Sequence, residues 1–164
     1  MNPEWFGDSF DIVKRFFIGN IRELGYQVYV DPMLTGDWRG LEQKFYDFLG
    51  VAPLGDFKRT VDRTALLLDP DTGVGREPTK KHVTIEKIVD LLQYYESVMS
   101  FDQSFSHGCN SIEEIRRKLR SLQAMNAVGF YYDSHARFLF SAKSMPVLMQ
   151  LEQQFSELDC QKEG

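Results

Sequence analysis

Apolar residues recur along this chain at two alternating periods. Phe10, Val13, Phe17, Ile21 and Leu24 fall three and four apart, which gathers them on one helical face. Asp8 or Ser9 is placed to cap this helix, and Gly25 to end it. Gln27 to Val30 then reads as a short strand stopped by Asp31-Pro32. A second helix is expected over Gly40 to Leu49, with Leu41, Phe45 and Phe48 inward. Gly50 to Arg63 reads as a loop, rich in Gly, Pro and charge.

Thr64 to Leu68 is a continuous apolar run, the pattern of a strand covered on both faces. It ends at Asp69-Pro70-Asp71-Thr72-Gly73, and a loop containing Arg76, Lys80, Lys81 and His82 follows. Thr84 caps a helix carrying Ile85, Ile88, Val89 and Leu92. Ser97 to Phe101 is the third strand, ending at Asp102. Ser111-Ile112-Glu113-Glu114 fits a capping box, and Ile115, Leu119 and Leu122 give that helix its buried stripe. Val128 to Tyr132 is a fourth strand ending at Asp133, and Arg137 to Ser141 a fifth, paired with it as a hairpin. Ser144 caps a last helix, with Pro146 in its first turn and Val147, Leu148, Leu151 and Phe155 inward. Residues 159 to 164 read as a frayed tail.

Strand and helix alternation of this kind predicts one α/β domain over residues 1 to 164. The expected architecture is a mostly parallel sheet of about five strands between helix layers, a Rossmann-like three-layer sandwich with a C-terminal β-hairpin. Parallel strands joined by right-handed crossovers end on one edge, where open α/β sheets bind ligands. Asp31, Asp69, Asp71, Asp102 and Asp133 are therefore expected along that edge.

A row of strand-end carboxylates suits a hard cation, Mg²⁺ or Mn²⁺, which activates water and clamps a phosphate in transit. Asp69, Asp71, Asp31 and Asp102 are the candidate ligands. A strand-end aspartate also caps helices and forms Asx-turns, so each has a purely structural alternative. Asp133-Ser134-His135-Ala136-Arg137 is dense in chemistry. His135 is the candidate acid or base, with Asp133 and Arg137 beside it. Strand neighbours face opposite ways, so these residues do not make a Ser-His-Asp triad directly. His107, in the loop after Asp102, is a further candidate for the same cleft.

Asp69-Pro70-Asp71-Thr72-Gly73 resembles the D-x-D-then-Gly signature of Toprim nucleases and topoisomerases, which implies metal-dependent phosphodiester chemistry. The Toprim pattern has a Glu after an earlier strand, where this chain has Asp31. The same stretch resembles the D-P-P-aromatic motif of amino-methyltransferases acting on nucleic acids. Both likenesses cover about five residues; the second implies an S-adenosylmethionine site, and a methyltransferase reading rests besides on the helix, strand, helix and terminal hairpin that follow Asp69-Pro70. The motif has Pro and an aromatic where this chain has Asp71 and Thr72. No G-x-G-x-x-G is present, and Gly73-Val74-Gly75 is too short to replace it.

Composition narrows these readings without choosing between them. The 164 residues are 43% hydrophobic, ample for a core, and the net charge of −5 argues against a globally basic nucleic-acid binder. Lys14, Arg15, Lys80 and Lys81 are the cations expected to guide a phosphorylated small molecule or a nucleic acid to the acidic edge. The two cysteines lie in no C-x-x-C. No apolar run approaches a membrane span of about 20 residues, so a cytoplasmic location without membrane contact is expected. The leading functional expectation is a metal-dependent phosphoesterase or nuclease-like enzyme. A methyltransferase-like domain with an altered cofactor loop and a non-catalytic binding module are the alternatives.

Overall fold

The computed structural model describes residues 3–36, 38–54, 63–105 and 110–160. Among these described residues, eight strands and five α-helices follow in the order β1 (Gln27–Asp31), β2 (Ala52–Pro53), β3 (Thr64–Leu68), β4 (Gly73–Val74), β5 (His82–Val83), β6 (Ser97–Phe101), β7 (Val128–Tyr132) and β8 (Phe138–Ala142), with α1 (Ser9–Glu23) before β1, α2 (Glu42–Leu49) before β2, α3 (Ile85–Leu91) before β6, α4 (Ser111–Ala124) before β7 and α5 (Met145–Cys160) last.

Six strands form one sheet in the order β2-β1-β3-β6-β8-β7. β2, β1, β3 and β6 pair in parallel, whereas β8 is antiparallel to both of its neighbours. The reversed strand is thus inserted between β6 and β7, and it is the return arm of the expected hairpin. β4 and β5 form a separate parallel pair. The sheet has one strand more than expected because β2 lies in the stretch read as loop. Two residues carry no period, and Pro53 is admissible there because β2 is an edge strand.

Alternation along each strand sends side chains to two cores. Val28, Val30, Ala65, Leu67, Met99, Phe101, Phe138 and Phe140 meet α1, α2 and α5 on one face. Tyr29, Leu66, Leu68, Val98 and Leu139 meet α3 and α4 on the other. The result is a three-layer α/β sandwich. Phe17 of α1 is the hub of the first core, with its ring 4.9 to 5.3 Å from those of Phe138, Phe140, Phe155 and Tyr132. Such edge-to-face pairs add about 0.5–1.5 kcal/mol each to simple burial.

Local chemistry fixes the helix starts. Asp8 caps α1 by accepting the Phe10 and Asp11 N–H groups, and Thr84 caps α3 by accepting that of Lys87. α4 departs from the expected capping box. Its cap is Asn110, whose side chain accepts the Ile112 and Glu113 N–H groups, and Ser111 is already inside the helix. None of the helices among the described residues is long and apolar enough to cross a membrane.

Candidate functional site

β1, β3, β6 and β7 run in one direction, so their C-terminal ends share one edge of the sheet. Asp31 closes β1, and Asp69, Asp102 and Asp133 follow directly on β3, β6 and β7. The four residues have different surroundings, and those surroundings decide what each can do.

Asp69 and Asp102 are buried, and each faces a lysine from a helix. Lys14 of α1 donates to Asp69 Oδ2 and to Asp11 Oδ1, both at 2.8 Å. Burial works against the Lys14 ammonium, but these two carboxylates hold its pKa above the ordinary lysine value. Lys118 of α4 donates to Asp102 Oδ2 at 2.6 Å and to Ser104 Oγ at 2.7 Å. Asp102 Oδ2 also accepts from Tyr131 Oη at 2.7 Å, and Oδ1 accepts from Val74 N, Ser104 N and Ser104 Oγ. Burial draws the Lys118 ammonium below the usual lysine value, against the pull of Asp102. Burial and the Asp102 charge push the Tyr131 phenol far upward. Asp102 therefore accepts five hydrogen bonds, and its charge is met inside the protein.

Asp133 is exposed and paired with Arg137 Nε at 2.5 Å across the hairpin turn. The Arg137 guanidinium lies 4.8 Å from the Phe105 ring centre, and the Lys118 ammonium approaches the same ring at 4.5 Å. His135 is exposed too, with its ring stacked on Phe10 at 5.5 Å and its carbonyl accepting from Gln103 Nε2. Asp133 and Arg137 are thus joined, while the His135 imidazole is turned to α1. His107 lies outside the described residues.

Asp31 and Asp71 occupy a different kind of place. The chain leaves β1 towards β2 on one side and leaves β3 towards β6 on the other, so the direction of winding reverses between β1 and β3. Open α/β sheets bind ligands outside the strand ends at such a switch point. Here it is flanked by the loop after β1 and the loop after β3. The Asp69 N–H donates to the Asp31 carbonyl at 3.0 Å, and Thr35 Oγ1 donates to Asp71 Oδ2 at 2.5 Å, which ties the two loops together. Asp31 Oδ1 accepts the Met33 N–H in an Asx-turn. Met33 takes φ 43°, a left-handed conformation rare for a residue with a side chain, and Gly36 turns the same loop at φ 79°. Partial burial works against ionisation of Asp71, but hydrogen bonding from Thr35 and the nearby Lys81 charge keep its pKa below the ordinary carboxylate value.

The four guiding cations are dispersed. Lys14 is buried between its carboxylates, and Arg15 is exposed over the Phe48 ring at 5.6 Å. Lys80 and Lys81 are exposed in the loop before β5, and the Lys81 carbonyl accepts from the Thr72 backbone and hydroxyl. Among the described residues no group of three or more His, Cys, Asp or Glu side chains is disposed to hold a metal ion.

Sequence reasoning passes over Tyr131, Thr35 and Asp11, and reads Lys118 with Arg116, Arg117 and Arg120 as a solvated face or a basic rim and not as a buried partner of Asp102. The signal for Lys118 was nevertheless present, since it stands three residues after Ile115 and four before Leu122, inside the apolar stripe of α4. Compared with family models, with curated proteins and with solved structures, the chain matches none.

Proposed function

We propose that this chain is a methyltransferase-like α/β domain whose switch point between β1 and β3 takes an S-adenosylmethionine-type ligand. The observation that carries the reading is the switch point itself, where the Asp31 and Asp69-Pro70-Asp71 loops are hydrogen-bonded to each other. The sequence after Asp69-Pro70 supports it, with a helix, a strand, a helix and a terminal hairpin in the order the resemblance implies. The donor set fits such a ligand in charge. Asp31 and Asp71 are half-buried carboxylates, suited to ribose hydroxyls and to a cationic amine or sulfonium group. They repel a bare phosphate. Bound S-adenosylmethionine would supply an electrophilic methyl group, and the residues of the two loops would orient it. The glycine pattern departs from the usual fingerprint, so Met33 and Gly36 would shape the loop that approaches the ligand.

The test is thermal unfolding with S-adenosylmethionine. A ligand at 100 times its Kd stabilises by about 2.7 kcal/mol, which raises Tm by several degrees in a domain of this size. The rise should shrink in Asp31→Asn. No rise at millimolar ligand overturns the reading.

A metal-dependent phosphoesterase using Mg²⁺ or Mn²⁺ is the second reading. What favours it is narrower: Asp31 and Asp71 stand on the two loops that flank the switch point, two half-buried carboxylates of the kind a hard cation takes as ligands. Asp69 and Asp102, which would complete the ligand set, are already neutralised by Lys14 and Lys118. Calorimetric titration with either ion, compared with Asp71→Asn, distinguishes it. Binding heat lost in the variant would favour this reading over the first.

A further inference from the structure

Positive charge is concentrated at one place away from the switch point. α4 and the loop after β4 enclose an open groove of about 860 Å³ lined by Arg76, Arg116, Arg117, Arg120, Glu113 and Glu114, with Leu119 and Gln123 completing it. Glu114 is taken up by Arg117, which reaches it through Nε at 2.9 and 3.0 Å and through a terminal nitrogen at 2.5 Å. Among the described residues no carboxylate forms an ion pair with Arg76, Arg116 or Arg120. Arg76 and Arg117 also line a smaller cavity with Gly75, Ile85, Glu86 and Ser121, which joins the groove to the start of α3. The protein carries a net charge of −5, yet four of its 19 cationic residues ring this one groove.

We propose that this groove binds the phosphodiester backbone of a nucleic acid. Guanidinium groups present planar forks that match phosphate oxygens two at a time. Arg116 and Arg120 stand one turn apart on α4, about 6 Å along its axis, so they address successive anionic groups and not a single one. Concavity separates the groove from a lipid-binding surface, which is flat. Its lining separates it from a peptide site, because Leu119 is the one apolar residue there and a protein partner needs a desolvated apolar anchor. Backbone recognition needs cations and nothing more.

The proposal is independent of the switch point, and its test reads a different property. Fluorescence anisotropy with a labelled single-stranded oligonucleotide should show binding that weakens linearly on a log–log plot against salt. Replacing Arg116→Gln and Arg120→Gln together should make that slope shallower by about 1.4, two phosphate contacts at ~0.7 each. Both side chains are exposed, so the variant should keep the wild-type melting temperature and any response to S-adenosylmethionine. Absence of oligonucleotide binding at low salt overturns the proposal. So does an unchanged slope in the double variant. A polyglutamate peptide that binds where the oligonucleotide does not would overturn it in favour of an acidic protein partner.

Discussion

Lys118 Nζ meets Asp102 Oδ2 at 2.6 Å with both side chains sealed from solvent. Two charges taken out of water cost several kcal/mol each, and only their mutual attraction and further hydrogen bonds offset this. The bonds from Ser104, Val74 and Tyr131 supply that completion. Lys118→Met should therefore leave a buried carboxylate without its cation and cost about 3–5 kcal/mol. Urea unfolding measures it as a fall in midpoint with an unchanged slope. The double change Lys118→Met with Asp102→Asn should cost less than the two single changes added together. A loss below about 1 kcal/mol for Lys118→Met would remove the pair from any account of stability.

Tyr131 couples this cluster to pH. Its phenol is held protonated by burial and by the Asp102 charge, so its pKa in the folded protein lies far above the ordinary tyrosine value of about 10. The sign follows from proton counting. Below pH ~10 both folded and unfolded chains carry the proton, and the hydrogen bond to Asp102 contributes in full. Above it the unfolded chain releases the proton while the folded chain retains it, so stability falls by up to about 1.4 kcal/mol per pH unit. Tyr131→Phe should cost about 1.5–3 kcal/mol at neutral pH, as a bond to a charged group does. It should also flatten the alkaline decline relative to the wild type. Chemical unfolding of both proteins across pH 9 to about 11 tests this, and parallel declines would refute it.

The layered fold was legible because its signals are long. Phe10, Val13, Phe17 and Ile21 repeat over three turns, and Thr64 to Leu68 is apolar without interruption. β2 was not legible, because a strand of two residues is defined by its register against Tyr29 and Val30 and not by its own pattern. The strand-end aspartates were readable as positions but not as environments. Asp69 and Asp31 follow strands in the same way, yet one is buried against Lys14 and the other turns its own loop. Their partners lie 55 and 2 residues away. The long-range pairing is set by helix packing, whose one trace in the sequence is a lysine standing on an apolar stripe.

Gly73 marks a close backbone approach that follows from the same cluster. Its φ is +109°, and a Cβ there would lie 2.3 Å from Asp102 Oδ1 and 2.7 Å from Asp102 Cα. The second contact is with backbone, which has no rotamer to move. Gly73→Ala should therefore be strained twice, by conformation and by overlap, and should displace the Val74 N–H from Asp102. A loss of about 2–4 kcal/mol is expected, larger than the ordinary cost of a surface substitution. Tm measured by calorimetry checks it. A variant as stable as the wild type would show that the β3 loop can withdraw from β6.

Lys14 and Arg15 are neighbours of like charge with opposite surroundings, which makes them a controlled comparison. Lys14 is buried between Asp11 and Asp69, whereas Arg15 is exposed with its guanidinium over Phe48. Arg15→Met should change stability by no more than about 1 kcal/mol, the value of an exposed cation–π contact. Lys14→Met removes the shared counter-ion of two buried carboxylates and should cost about 3–5 kcal/mol near neutral pH. The deficit should narrow in acid. With Lys14 gone, burial holds the proton on Asp69 still more tightly in the folded than in the unfolded chain, so the variant gains stability as pH falls through the raised Asp69 pKa. In the wild type burial already raises the Asp69 carboxyl above the ordinary value against the pull of Lys14, so the same gain should be present but smaller. Unfolding free energies of the three proteins at neutral and mildly acidic pH decide the matter. Equal losses for the two substitutions, or a Lys14→Met deficit independent of pH, would mean that Lys14 does not neutralise the β3 aspartate.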